Sequence, residues 1–252
     1  MSDKASIIIP GMENLSRLES RVLEERIHQA VSEGHQDIEV IAQGQHGIGG
    51  RLWQTGREAI RIRVTGTSGQ RLGSMGFPNT TIDCMGSASD DVGWLNAGAE
   101  IIVRGNVTNG AGNAMAQGRI SIAGDTGARA MTMTKHNPRF SPPEMWILGS
   151  VGDSFAEFMA GGIAVICGHG SPRKENVLGY RPCVGMVGGK IFFRGPHQGY
   201  SDQDARLSVP DDEEWLWLTE GLRDFLGRIG QEDLYPHLAL DRSAWSLLVA
   251  RK

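Results

Sequence analysis

Cys167, Gly168 and His169 lie side by side, and with the later Cys183 they carry three side chains of the kind that ligates zinc. Lone cysteines are as readily buried as small hydrophobes, and no CxxC pair reinforces the metal reading. The stretch GHGSPRKEN over 168–176 gathers Gly, Ser, Arg and Lys as an anion contact would. It lacks the GxxxxGK[ST] spacing of a Walker A loop, and it equally suits a solvated or partner-facing loop. Asp90, Asp91, Asp125 and Asp153 follow similar glycine-rich corners, so stacked corners would align them into an acidic ladder; aspartates at such corners also cap their own turns. The seven histidines are scattered, with no HxH, HxxE or HExxH spacing to build a local metal site. Neither GSMGF (73–77) nor GSASD (86–90) supplies the GxSxG of a serine nucleophile elbow, which leaves an independent hydrolase without a motif. No catalytic, cofactor-binding or metal-ligating residue is assigned.

Positioning such side chains falls to a repeat. Short apolar runs end in glycine at Gly66, Gly86, Gly105, Gly124, Gly149, Gly168 and Gly195, and the steps between them are 20, 19, 19, 25, 19 and 27 residues. Self-similarity at so short a period signals stacked supersecondary units. Some nine or ten residues after most of these glycines comes a large apolar residue between small ones: Met75, Leu95, Met115, Met133 and Met159, with Met186 after a longer loop. These are expected to point inward, and the glycines, with Gly188 and Gly189, to form tight corners. The expected fold is an all-β solenoid, a parallel β-helix of about seven coils. Its two insertions, 132–144 and 169–182, are where a working surface would lie.

Both ends read as helical. Apolar residues at three-, four- and seven-residue spacing predict a helix from Asn14 to Gly34, capped by Asn14 or Ser16. A second begins near Pro210, with Asp211 to Glu214 in its first turn and Gly230 as its stop. A third, shorter helix is expected from about Ser243 to the end. The organisation is thus an N-terminal helical segment over 1–36, a β-helix over 37–200 and a C-terminal helical tail over 201–252.

Composition narrows the functions. The 252 residues include 35 glycines but only 10 prolines, without the every-third spacing of collagen, and 40% of the chain is hydrophobic, so the glycine serves a folded structure. A net charge of -4 offers no basic field for nucleic acid or an anionic membrane. Three apolar residues, Ile7 to Ile9, are too few for a secretory signal, and no run reaches the ~18 of a spanning helix. A cytoplasmic protein is expected.

At this level the chain resembles a known family. The stretches Gly112 to Gly118 (GNAMAQG), Gly152 to Gly162 (GDSFAEFMAGG) and Gly185 to Gly189 (GMVGG), set among the glycine-ended strands, are similar to the GXGXG domain. That domain forms the C-terminal right-handed β-helix of the glutamate synthase large subunit. A related one forms the β-helix subunit of formylmethanofuran dehydrogenase and its counterpart in the bacterial formyltransferase/hydrolase complex. The resemblance spans about Ile27 to Gly195, and NVLGYRPCVGMVGGKIFFRG (176–195) followed by an acidic, Trp-containing helix looks most like a free-standing glutamate synthase domain 3 subunit. It implies a right-handed β-helix and a non-catalytic scaffold holding a glutaminase-like subunit and an FMN/iron–sulfur synthase-like subunit. The alternative it implies is the equivalent β-helix scaffold of a formylmethanofuran dehydrogenase or formyltransferase/hydrolase complex. A complete glutamate synthase would need an N-terminal catalytic Cys, a barrel for FMN and cluster cysteines, whereas this chain starts Met-Ser-Asp and has three cysteines. FMN and the iron–sulfur cluster are therefore expected on partner subunits and no cofactor on this chain. Partner contacts are expected at Arg173, Lys174, Asn176, Tyr180 and Arg181.

Overall fold

A computed structural model of the chain describes residues 6–53 and 58–251; residues 1–5, part of the expected N-terminal segment, and Lys252 lie outside the described residues. The strands are β1 (Ile7–Pro10), β2 (Met12–Glu13), β3 (Ser16–Arg17), β4 (Asp37–Gln43), β5 (Ile60–Thr67), β6 (Thr80–Cys84), β7 (Ala97–Val103), β8 (Gln117–Ile122), β9 (Glu144–Ile147), β10 (Ala160–Ile166), β11 (Gly188–Arg194), β12 (Ala205–Ser208) and β13 (Trp245–Ala250). The helices are α1 (Ser20–Ser32), α2 (Asp212–Ile229) and the single turn α3 (Tyr235–Leu238). No helix among the described residues is long and apolar enough to cross a membrane.

Eleven strands form one sheet in the order β1-β4-β5-β6-β7-β8-β9-β10-β11-β13-β12. Every pair from β1 to β11 is parallel, and β13 runs antiparallel to both of its neighbours. The register runs Val64, Cys84, Val103, Ile122, Ile147, Ile166 and Phe193, with the same steps as the glycines that end the strands. The expected all-β solenoid, a right-handed parallel β-helix of about seven coils, is corrected by this arrangement: the fold is mixed α/β, one large and mostly parallel sheet with few helices. The repeat spacing reported which strands pair, but said nothing of what covers the second face of the sheet.

Two apolar layers flank the sheet because strand side chains alternate. Ile62, Ile82, Ile101, Ile120, Met145, Ala164 and Ile191 align across it and are buried in the larger, inner core, which α1 joins through Leu23, Ile27 and Ala30. The neighbouring outward row reads Glu39, Arg63, Asp83, Ile102, Ser121, Trp146, Val165, Phe192 and Leu247. It changes from charged to apolar at Ile102, and α2 packs on the apolar part through Leu218, Leu222, Phe225, Leu226 and Ile229. Each of these five buried side chains contributes roughly 1.5–3 kcal/mol before entropic costs. The helix starts in a capping box, Asp211 accepting from Glu214 N and Glu214 from Asp211 N, and ends at left-handed Gly230.

Three local expectations are also corrected. The first helix starts at Ser20, not Asn14, because Asn14 and Leu15 adopt left-handed backbone in the turn between β2 and β3. The end of the chain is strand β13, not a helix: Trp245 and Leu247 enter the outer core while Leu248 enters the inner one, a two-residue period. Of the apolar residues expected to point inward, Met115, Met159 and Met186 do, while Leu95 and Met133 are exposed and Met75 is half-buried.

Candidate functional site

The exposure of Leu95 and Met133 follows from how the turns between strands are built. Left-handed residues recur at every second position: 71, 73, 75; 91, 93, 95; 110, 112, 114; 129, 131, 133; 154, 156, 158; and 181, 183, 185. The middle residue of each set is buried. The first residues donate along the stack, Arg71 N to Asp90 O, Asp91 N to Asn109 O, Gly110 N to Ala128 O, Arg129 N to Asp153 O and Ser154 N to Tyr180 O, all at 2.8 Å. Of the third residues, Leu95, Met133 and Phe158 are exposed and apolar, with half-buried Ala114 between the first two, and Val187 is exposed two residues past Gly185. Asp204 closes the stack, its Oδ2 accepting from Gly185 N at 2.8 Å and from Ser201 Oγ at 2.5 Å.

The corner aspartates do not stack into an acidic ladder: Asp90, Asp125 and Asp153 alternate with Ser and Asn side chains in two separate series and accept from backbone N–H. Ser87 Oγ accepts from Asn106 N at 3.1 Å, Asn106 Oδ1 from Asp125 N at 2.8 Å, and Asp125 Oδ1 from Ser150 N at 2.7 Å. A second series runs from Asp90 to Asn109 N and from Asn109 to Ala128 N, and Asp153 accepts from Tyr180 N. Asp90 is held below the ordinary carboxylate value first by the Thr108 hydroxyl and then by Asn109 N–H. Asp91 lies 4.0 Å from Arg71, and burial raises its carboxyl. Among the described residues no group of three or more His, Cys, Asp or Glu is placed to hold a metal ion.

The strand-final glycines make room for these ladders. A Cβ at Gly105 would meet Ser87 Oγ at 2.5 Å, and those at Gly124 and Gly149 would strike Asn106 Oδ1 and Asp125 Oδ1. At Gly66 and Gly168 a Cβ would strike the carbonyls of Ala42 and Arg194, at Gly188 that of Ala160, and at Gly195 it would touch Val177. Gly86 faces open space. Gly189, at φ +102°, lies against Met159.

The loop over 169–182 borders a cleft of about 510 Å³ lined by Asp153, Pro172, Lys174, Glu175, Asn176 and Tyr180, among others. Arg173 turns back on the fold, Nη1 donating to Thr126 O at 3.0 Å, and Ser171 Oγ meets Ser150 Oγ at 2.7 Å. Asn176 holds the loop's far side, donating to Gly179 O at 2.7 Å and accepting from Gln198 N at 3.3 Å. Lys174, Tyr180 and Arg181 are exposed. Arg173 and Asn176 thus anchor the loop, and four of the five candidate contact residues, Arg173 among them, are exposed. Cys167, His169 and Cys183 are not brought together as ligands: Cys167 is in the outer core and Cys183 in the inner one. Burial raises all three thiols, Cys183 to about 12.

A second open surface is the part of the outward sheet face that α2 leaves bare. It forms a trough of about 610 Å³ in which Arg61 pairs with Asp37 at 3.5 Å and Arg104 grips Asp83 through two bonds of 2.9 Å, beside Glu39 and Arg63. The charge pattern was readable in the alternation of β4 to β6, but not that it would stay uncovered. Beside it, Arg119 stacks on Trp146 and, with Arg228, ties α2 to the sheet through Asp224 and Glu100.

The family model of the GXGXG motif matches residues 24–210, covering all of the parallel strands from β4 to β11 and the turns between them. The chain belongs to the GXGXG family. Two curated relatives of this GXGXG chain are ferredoxin-dependent glutamate synthases. That of Cyanidium caldarium is 28% identical over 142 residues, 54% of this chain and 9% of its own length. That of Pyropia yezoensis is 24% identical over 208 residues, 80% of this chain and 13% of its own length. The GXGXG chain thus has a glutamate synthase-related sequence while spanning a small fraction of those enzymes.

Proposed function

We propose that this chain is a non-catalytic docking subunit of a glutamate synthase-type complex, seating a glutaminase-like polypeptide and an FMN/iron–sulfur synthase-like polypeptide. The observation that carries the reading is the pairing of a family match over residues 24–210 with coverage of only 9% and 13% of the glutamate synthases. Most of what those enzymes contain lies outside these 252 residues. The chain's own cysteines do not fit an iron–sulfur cluster. Cluster ligands are thiolates gathered at one point, whereas Cys84, Cys167 and Cys183 are buried in two different cores and held as thiols. Redox chemistry is accordingly assigned to the partners, and this chain contributes rigid surface.

The exposed apolar side chains Leu95, Met133 and Phe158 are the surface assigned to the flavin-bearing partner, because apolar side chains held on a rigid stack suit a specific interface. The triple variant Leu95→Asp, Met133→Asp and Phe158→Asp tests it. It is expected to keep its melting temperature within a few degrees, since all three side chains are exposed, and to lose capture of the flavoprotein. Unchanged capture would refute the assignment.

A further inference from the structure

Three nitrogen-bearing side chains from separate segments meet near the carboxyl ends of β10 and β11. His169 stands just beyond β10, Arg194 is the last residue of β11, and His237 belongs to α3. The two imidazoles meet edge to face with ring centroids 5.8 Å apart, and Arg194 Nη2 lies 3.3 Å from His237 Nε2. A guanidinium can only donate, so that imidazole nitrogen accepts.

This partner sets Arg194 apart. Arg61, Arg104, Arg119, Arg228 and Arg242 each pair with a carboxylate. Arg194 is half-buried, and among the described residues its side chain makes one hydrogen bond, to an imidazole. Asp241 is the carboxylate that feels Arg194, but its Oδ1 is engaged by Ser243 N at 2.8 Å and Ser243 Oγ at 2.7 Å. The Cys167 thiol is buried beside Arg194, and burial pushes it up, so it adds no negative charge. His169 is held toward its neutral form by burial first, then by His237 and Arg194. Among the described residues, then, no carboxylate hydrogen-bonds to Arg194, and Asp241 acts on it only through its charge.

We propose that His169, Arg194 and His237 form a binding site for a small oxyanion, a phosphate- or carboxylate-bearing molecule. The oxyanion replaces the imidazole as acceptor for Arg194, and both histidines, once protonated, become charged donors to it. The site is independent of the docking reading, which uses the turn stack at Leu95, Met133 and Phe158.

Histidine titration by NMR tests the proposal, with sodium chloride at matched ionic strength as reference. Sulfate is the first probe because it keeps its charge across the pH range in which histidine titrates; inorganic phosphate and succinate are run beside it. In saturating sulfate the His169 midpoint is expected to rise by about one pH unit, and sulfate binding to tighten about tenfold from pH 8 to pH 6. Arg194→Gln and, separately, His237→Asn should each abolish the difference between salts; His237 is exposed, so the second variant keeps the test valid if the first fails to fold. A response to sulfate and phosphate alone assigns a phosphate-type ligand, and one to succinate alone a carboxylate. Identical titrations in every salt, or a response unaltered in both variants, would overturn the site.

Discussion

Two glycines in one helix are expected to answer the same substitution with opposite signs. Gly221 and Gly227 both lie within α2, where replacing Gly by Ala ordinarily stabilises by about 1 kcal/mol through helix propensity. At Gly227 an added Cβ meets nothing nearer than Glu232 Oε1 at 4.0 Å, so the full gain should appear. At Gly221 it would lie 2.6 Å from Cζ2 of Trp146 and closer still to Cη2. That indole cannot retreat, because it packs against Trp217 and Phe225 with centroids 5.4 and 5.7 Å away and carries Arg119 on its ring. Overpacking of this kind costs about 1–3 kcal/mol, which outweighs the propensity gain. Gly221→Ala should therefore be net destabilising by about 1 kcal/mol and differ from Gly227→Ala by about 2 kcal/mol. For a chain of this size that separates their melting temperatures by about 4–8 °C, Gly227→Ala above the parent and Gly221→Ala below. Thermal unfolding of the three proteins side by side measures it. A Gly221→Ala protein melting at or above the parent would refute the placement of α2 on Trp146.

Gly189→Val should destabilise by more than the ~1 kcal/mol typical of Gly-to-Ala strain, since position 189 has φ +102° and its Cβ would sit 2.5 Å from Met159 Cε; circular dichroism melts check it. Asp204→Ala should lower the melting temperature at neutral pH. The Asp204 carboxyl is held below its ordinary value of 3.8, first by the Ser201 hydroxyl and then by Gly185 N–H. Its contribution is therefore complete above 3.8 and is lost as pH falls through the lower folded value, so the gap between variant and parent should close at acid pH. A thiol-reactive dye at pH 8 should label none of the three cysteines in the native chain and all of them after unfolding, because each is buried and its thiol pushed up.

The strand-final glycines were legible because each marks the same point in the sheet register, and α2 because Asp211, Glu214 and Gly230 carry both of its end signals. The α/β character was not. It depends on Ile102, Trp146, Val165 and Phe192 facing outward together, and a single strand gives no hint that its second face will need a helix. The run WSLLVA was ambiguous for a related reason: buried on both faces, it shows neither a clean two-residue nor a 3.6-residue period. Bulk alone would place Leu95 and Met133 inward, whereas alternate left-handed residues turn them out. The corner aspartates were visible as turn residues, but not the backbone N–H one strand further on that each one serves. His169, Arg194 and His237 carry no spacing signal, since only the pairing of β10 with β11 and the docking of α3 unite them.

The docking role is tested most directly by affinity capture of the tagged chain from its native source, with flavin and iron measured on the captured complex and glutamine-dependent glutamate formation assayed. Stoichiometric flavin and iron are expected on co-captured glutaminase-like and synthase-like polypeptides, with activity in the complex and none in the isolated chain. Capture of the chain without flavin or iron, or turnover by the isolated chain, would contradict the docking role.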